Sequence, residues 1–141
     1  MSTTTKYFGS CLCGAVNFEL AEAPLQHNLC HCLNCQKASG SAFASNLFVK
    51  REKITITKGK DQLKSWADCG TRSGKPLHRT FCGVCGSPLL GYPELNPKVA
   101  TVASSALDVK QWGPRKEGFT ENKRSWLRNI QLSNWSSKAK L

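Results

Sequence analysis

No stretch of the 141-residue sequence is apolar over the roughly 18 residues that a helix needs to cross a membrane. The first residues also lack the apolar segment of a secretory signal peptide. We therefore expect no membrane partner and an intracellular, cytoplasmic protein, with the nucleus as the alternative compartment. A phosphate-binding loop, a dinucleotide fingerprint and an ordered Ser-His-Asp set are absent as well. The catalytic classes that depend on those motifs are thereby excluded.

Acidic residues are scarce. The sequence has nine Asp and Glu residues and twenty Lys and Arg residues, which gives a formal net charge of +11. Such a balance favours an anionic partner, either an acidic small molecule or nucleic acid. Positive charge concentrates in residues 50–64 and 110–128, and the second stretch also carries Trp112, Phe119 and Trp126. Its aromatic residues are compatible with base stacking or with packing under the last strands, and the charges with a solvated face.

Long helical periodicity is also lacking, and the fold is predicted to be mainly β with one domain over residues 1–141. Alternating apolar and polar residues predict strands around Val16–Leu20 and Ile54–Thr57. A β-branched run predicts another strand at Val99–Ala103. A short helical turn is expected at Cys35–Ser41, and the polar residues 133–141 are expected to be loose.

Eight cysteines are present, and in a reducing compartment clustered cysteines more often bind metal than form disulfides. Seven of them form three short motifs, which are Cys11 with Cys13, Cys30 with Cys32 and Cys35, and Cys82 with Cys85. Such spacings suit Zn²⁺, which takes thiolates about 2.3 Å away in a tetrahedron. Gly83 and Gly86, and similarly Gly14, are expected to allow positive φ beside the ligands.

The number of cysteines predicts two Zn²⁺ ions in unequal sites. Two pairs make a closed structural site of Cys11, Cys13, Cys82 and Cys85. Linking segments about seventy residues apart would reduce the chain entropy of the unfolded state and so stabilise the fold by about 4 kcal/mol. The triplet Cys30, Cys32 and Cys35 leaves a fourth position exchangeable, which is typical of catalytic zinc. Alternatively, the triplet could be closed by a fourth ligand, His27, His31 or Cys69.

These motifs resemble the glutathione-dependent formaldehyde-activating enzyme family, also called the centromere-protein-V-like family. The resemblance rests on GSCLCGAV at 9–16, CHCLNCQK at 30–37, SGSAF at 39–43 and FCGVCGSPL at 81–89. Residues 104–108 and 112–114 look like the family's closing segment. The core would then span about residues 7–116, followed by a basic C-terminal extension at 117–141.

The resemblance implies a β-tent fold, in which antiparallel sheets are clamped by a structural zinc. It implies the same division of ligands, with Cys30, Cys32 and Cys35 as the catalytic zinc ligands. The implied activity is that of a carbon–sulfur lyase joining glutathione or another small thiol to formaldehyde. Possible glutathione contacts are Lys37, Ser39 and Gly40, with Lys50, Arg51 and Arg79 as further cations for its carboxylates. The centromere-protein-V branch leaves an alternative, a non-catalytic zinc module that binds nucleic acid or chromatin.

Overall fold

The computed structural model describes residues 5–108 and 111–127, which form ten β-strands, one α-helix and five short 3₁₀ helices. The strands are β1 (Tyr7–Ser10), β2 (Asn17–Leu20), β3 (Gln26–Cys30), β4 (Ala44–Lys50), β5 (Ile54–Lys58), β6 (Leu63–Asp68), β7 (Leu77–Cys82), β8 (Pro88–Pro93), β9 (Val99–Ala103) and β10 (Lys116–Gly118). The helix α1 is Leu33–Ser39, and the 3₁₀ helices are Arg51–Lys53, Lys60–Gln62, Ser104–Ala106, Thr120–Asn122 and Ser125–Leu127. In these residues no helix is long and apolar enough to cross a membrane.

Two sheets make up the fold, which confirms the prediction of a mainly β protein. The smaller sheet has the order β1-β2-β5, and the larger has the order β10-β3-β4-β9-β8-β7-β6. Neighbouring strands are antiparallel except at one edge, where β10 runs parallel to β3. The parallel pair arises because the C-terminal segment returns to the sheet beside the second cysteine motif, with Gly118 opposite Cys30.

The core lies between the two sheets. The predicted alternation in the second strand is confirmed, since Val16, Phe18 and Leu20 are at most 1% exposed. They belong to one apolar cluster with Leu47 of β4 and Val102 of β9. Burying a side chain of this size contributes about 2 kcal/mol to stability. Pairing of the smaller sheet with the larger therefore holds β1, and the cysteines that follow it, in place.

The predicted strands at Ile54 and Val99 are both present, and the predicted helical turn is displaced. Helix α1 begins at Leu33 rather than Cys35, because the Cys32 side chain accepts a hydrogen bond from the Cys35 N–H and serves as its N-cap. The helix ends at Ser39, since Gly40 has a left-handed conformation with φ 62° and caps the last turn. Ser41 therefore lies outside the helix.

Residues 111–127 contribute both packed and exposed side chains. Trp112 packs against the core, with its ring 4.7 Å from that of Tyr7 in an edge-on contact. The proposed boundary between residues 116 and 117 falls inside β10 (Lys116–Gly118). Trp126 is 69% exposed. Residues 133–141 lie outside the described part, and the single-domain organisation stays a prediction.

Candidate metal centres

The first cysteine cluster joins the two sheets. Cys11 and Cys13 follow β1, Cys82 ends β7, and Cys85 lies in the turn that leads to β8. The four sulfur atoms lie within 4.8 Å of one another. Cys11 Sγ is 3.6 Å from Cys13 Sγ, and Cys13 Sγ is 3.9 Å from Cys82 Sγ. Thiolates about 2.3 Å from a tetrahedral zinc would be about 3.8 Å apart, so these sulfurs are already spaced for one ion.

Backbone and hydroxyl groups surround these sulfurs with hydrogen-bond donors. The Val16 N–H donates to Cys11 Sγ at 3.2 Å, and the Val84 N–H donates to Cys82 Sγ at 3.4 Å. Hydrogen bonds with the Ser87 hydroxyl, 3.1 Å from Cys85 Sγ, and with the backbone of Ser87 and Cys13 together lower the pKa of Cys85 to about 5. Donors of this kind stabilise thiolates, which is the form that binds metal.

Glycines shape both turns of this cluster, though not all in the predicted way. Gly14 and Gly86 have φ of 74° and 76°, which confirms the expected left-handed turns after Cys13 and Cys85. The same expectation for Gly83 is wrong, because its φ is not positive. Gly83 is needed for close approach, since a Cβ there would lie 2.8 Å from the carbonyl oxygen of Gln62.

The second cluster lies at the junction of β3 and α1. Cys30 is the last residue of β3, Cys32 is the N-cap of α1, and Cys35 is in its first turn. Their three sulfurs lie within 4.8 Å of one another. Cys35 is buried, whereas Cys30 and Cys32 are half-buried. The strand-to-helix turn therefore gathers three soft ligands from six consecutive residues.

The thiols of the triplet shift one another's pKa values. A hydrogen bond between Cys30 and Cys35 lowers the pKa of Cys30. The same bond, together with burial, raises the pKa of Cys35 far above its ordinary value, while Arg79 opposes the rise. Three thiolates so close together repel one another unless a cation lies among them. A divalent metal ion is such a cation, and soft thiolates favour zinc over magnesium or calcium.

A fourth protein ligand does not reach the triplet within residues 5–108 and 111–127. His27 Nε2 lies 2.7 Å from the Ser45 hydroxyl, and His31 Nε2 lies 2.9 Å from Glu117 Oε1. Cys69 is exposed, with its sulfur 3.7 Å from the carbonyl oxygen of Ala67. The three candidates considered from the sequence thus make other contacts.

The triplet faces an open cavity of about 1090 Å³ on the larger sheet. All three of its cysteines line this cavity, whereas none of the four cysteines of the first cluster does. The charged side chains of the lining are Arg72, Lys75, Arg79 and Asp68. Because three are basic and one is acidic, the cavity favours an anionic ligand.

Of the predicted glutathione contacts, one lines this cavity and two do not. Ser39 lines it, but its hydroxyl lies 2.7 Å from the Cys35 carbonyl oxygen and 3.1 Å from that of Phe43. Lys37 and Gly40 lie outside the lining. Their contact with a ligand stays a prediction.

Of the further cations, only Arg79 lines the cavity. Lys50 forms an ion pair with Glu22 at 2.9 Å, and Arg51 stacks on the Tyr92 ring at 4.5 Å. The lining cations Arg72 and Lys75 were not considered from the sequence. They belong to the loop between β6 and β7, and only the pairing of these strands brings that loop to the triplet.

Comparisons with known proteins agree with this architecture. A family model described as "Glutathione-dependent formaldehyde-activating enzyme" matches residues 6–122. A crystal structure of a Rhodobacter sphaeroides protein is similar in fold, with a TM-score of 0.62 and 23% sequence identity. That similarity covers 78% of this chain and 98% of the other. With most of its length matched by the family model, the chain belongs to the glutathione-dependent formaldehyde-activating enzyme family.

Proposed function

We propose that this protein is a zinc-dependent carbon–sulfur lyase that acts on adducts of glutathione, or of a similar small thiol, with an aldehyde. Its reaction would resemble that of an S-(hydroxymethyl)glutathione synthase. One observation carries the proposal. The three-cysteine cluster lines a large open cavity, while the four-cysteine cluster is kept away from it.

The two clusters are proposed to hold one zinc ion each. Cys11, Cys13, Cys82 and Cys85 would fill all four positions of a structural site, which is why that site needs no access to the cavity. Cys30, Cys32 and Cys35 would hold the second ion and leave one position facing the cavity. Both donor sets consist of sulfur alone, which suits zinc.

Zinc bound to the triplet would supply an exchangeable position at which a substrate thiol is held as a thiolate, the nucleophile that adds to an aldehyde carbon. The chain itself supplies orientation and charge. Cys32 is fixed by its role as N-cap of α1, and Cys30 by the last position of β3. Burial of Cys35 excludes water from one side of the cluster.

Substrate charge would be met at the β6–β7 loop. The Arg72 guanidinium is already paired with Glu121 at 2.5 Å and stacked on the Phe119 ring at 4.3 Å. Lys75 forms no ion pair within the described part of the chain. We therefore propose Lys75 as a cation for a glutathione carboxylate, together with the predicted contacts Lys37, Ser39 and Gly40.

Free thiols are a condition of this chemistry. All eight cysteines lie in the described part of the chain and are unbridged. Zinc-binding cysteines persist in compartments where glutathione keeps thiols reduced. The proposal thus includes an intracellular, cytoplasmic location.

The test is the rate at which formaldehyde exchanges with S-(hydroxymethyl)glutathione, measured by NMR exchange spectroscopy. The spontaneous reaction without protein sets the baseline. The zinc-loaded protein should accelerate exchange in both directions, and Cys32→Ser should return the rate to the baseline. Exchange at the spontaneous rate with fully zinc-loaded protein would refute the proposed activity.

A further inference from the structure

The guanidinium of Arg79 lies between the second cysteine cluster and a buried carboxylate. On β7, Arg79 places Nη1 and Nη2 at 3.9 and 3.8 Å from Cys35 Sγ. Its Nε and Nη2 atoms are both 2.8 Å from Asp68 Oδ2. The guanidinium thus contacts both a predicted metal ligand and an acidic side chain.

Asp68 is fixed from several sides. The residue is 8% exposed. Its carboxylate accepts hydrogen bonds from the Asn34 amide at 2.9 Å and the Gly70 N–H at 3.1 Å, besides those from Arg79. Burial alone would raise the pKa of Asp68, but the hydrogen bonds from Arg79 and Asn34 lower it. The carboxylate is therefore charged at neutral pH and holds the guanidinium in one orientation.

Asn34 completes a ring of contacts around the cysteine motif. It lies between Cys32 and Cys35 in sequence, and its amide reaches Asp68 at the end of β6. Arg79 pairs across the sheet with Trp66, so β6 and β7 present Asp68 and Arg79 side by side. The ring couples the position of the motif to the position of the guanidinium.

We infer that Arg79 is a positioning residue for the second metal site, where its N–H groups hydrogen-bond to the Cys35 thiolate and offset the charge of the metal-loaded triplet. This inference rests on the proposed function. Three thiolates and one Zn²⁺ carry a formal charge of −1, which a guanidinium beside one sulfur stabilises. Hydrogen bonds to a ligand also weaken its electron donation to the metal and fix its orientation.

This role differs from the one considered from the sequence, in which Arg79 meets a substrate carboxylate. The Arg79 side chain is only 22% exposed, and its donors already face Asp68 and Cys35. Turning towards a substrate would leave the buried Asp68 carboxylate without its cation, which is unfavourable. The exposed cations of the same cavity are better placed for substrate charge.

The test uses cobalt(II) in place of zinc and compares wild type with Arg79→Gln and Arg79→Lys. Sulfur-to-cobalt charge-transfer bands report electron donation from the thiolates, and subtraction of the Cys32→Ser spectrum isolates the second site. Arg79→Gln should shift these bands to lower energy and weaken metal binding at this site by about 10- to 100-fold. Arg79→Lys should restore part of both effects, because it keeps the charge but not the planar fork.

Arg51→Gln is the matched control, since it removes the same charge outside the cavity and should leave bands and affinity unchanged. If Arg79→Gln fails to fold, Arg79→Lys and Asp68→Asn should still show smaller shifts in the same direction. This inference alone would be overturned if the folded Arg79 variants bound two cobalt ions with unshifted bands and unchanged affinity. A wild-type protein that binds one ion would overturn the proposed function and this inference with it.

Discussion

Cys13 and Cys82 are 69 positions apart in the chain, yet their sulfur atoms lie 3.9 Å from each other. The contact joins the end of β1 in the smaller sheet to the end of β7 in the larger sheet. A metal ion held there would cross-link the two sheets next to their apolar core, which includes Cys11 and Cys82. The first cluster is thus placed to stabilise the fold, and the second is placed to meet a ligand.

Cys82→Ser should destabilise the protein strongly. Cys82 is fully buried, and its replacement opens a cross-link over a long loop, so the free energy of unfolding should fall by about 4 kcal/mol. The measurement is chemical denaturation of zinc-loaded protein. Cys69→Ser is the control, because Cys69 is exposed and outside both clusters, and it should change stability by less than about 0.5 kcal/mol. Equal stability of the two variants would contradict a cross-linking role.

Cys32→Ser should remove the second metal ion while preserving the fold. Serine is a good N-cap, so its hydroxyl can accept the Cys35 N–H hydrogen bond that Cys32 Sγ accepts at 3.3 Å. It is a poor replacement for a soft thiolate ligand. Elemental analysis should give about two zinc ions for wild type and one for the variant. Circular dichroism should be unchanged, and a variant that retains both ions would exclude Cys32 as a ligand.

Glu117→Ala should destabilise the packing of β10 against β3. The carboxylate accepts hydrogen bonds from His31 Nε2 and Lys123 Nζ, both at 2.9 Å, and His31 is 1% exposed. Leaving the buried imidazole unpaired costs about 1–3 kcal/mol. Thermal or chemical denaturation measures this loss.

Glu94→Ala provides the comparison for Glu117→Ala. Glu94 also pairs with a histidine, but the side chains of His78 and Glu94 are 38% and 50% exposed. An exposed ion pair contributes about 0–1 kcal/mol. A loss for Glu94→Ala as large as that for Glu117→Ala would show that burial of the pair is not the cause.

Gly59→Ala should be far more destabilising than Gly74→Ala. Both glycines have positive φ, 71° and 73°, so alanine is strained by about 1–2 kcal/mol at either position. At Gly59 the new methyl group would also collide with the carbonyl oxygen of Ala15, whereas at Gly74 it would meet open space. Denaturation midpoints give the difference directly. Equal losses of stability would contradict this prediction and show that the turn between β5 and β6 shifts to accommodate the methyl group.

The cysteine spacing predicted both clusters, because the cysteines of each short motif lie close together and two pairs complete a set of four ligands. Val16, Phe18 and Leu20 predicted a strand for the same kind of local reason, their alternating burial. Strand β8 gave no alternation, because its consecutive residues Leu89, Leu90 and Gly91 are all buried. Their burial depends on sheet pairing and on packing, which a single sequence does not display.

The surroundings of the triplet were not predictable in the same way. Arg79 meets both Cys35 and Asp68 because β6 and β7 pair in one register. A shift by one residue would place Asp68 and Arg79 on opposite faces of the sheet. Glu117 reaches His31 only because β10 returns in parallel beside β3. No local pattern marks these residues, so only the assembled sheet identifies them.

The most direct test of the account is whether a substrate thiol enters the coordination sphere of the second site. Glutathione is added to cobalt-loaded wild type and to Cys32→Ser, and sulfur-to-cobalt charge-transfer absorption is recorded. Absorption should increase in wild type and stay constant in the variant. It should also stay constant with S-methylglutathione, which has no free thiol. Unchanged absorption in wild type carrying two cobalt ions would contradict an open, thiol-binding site.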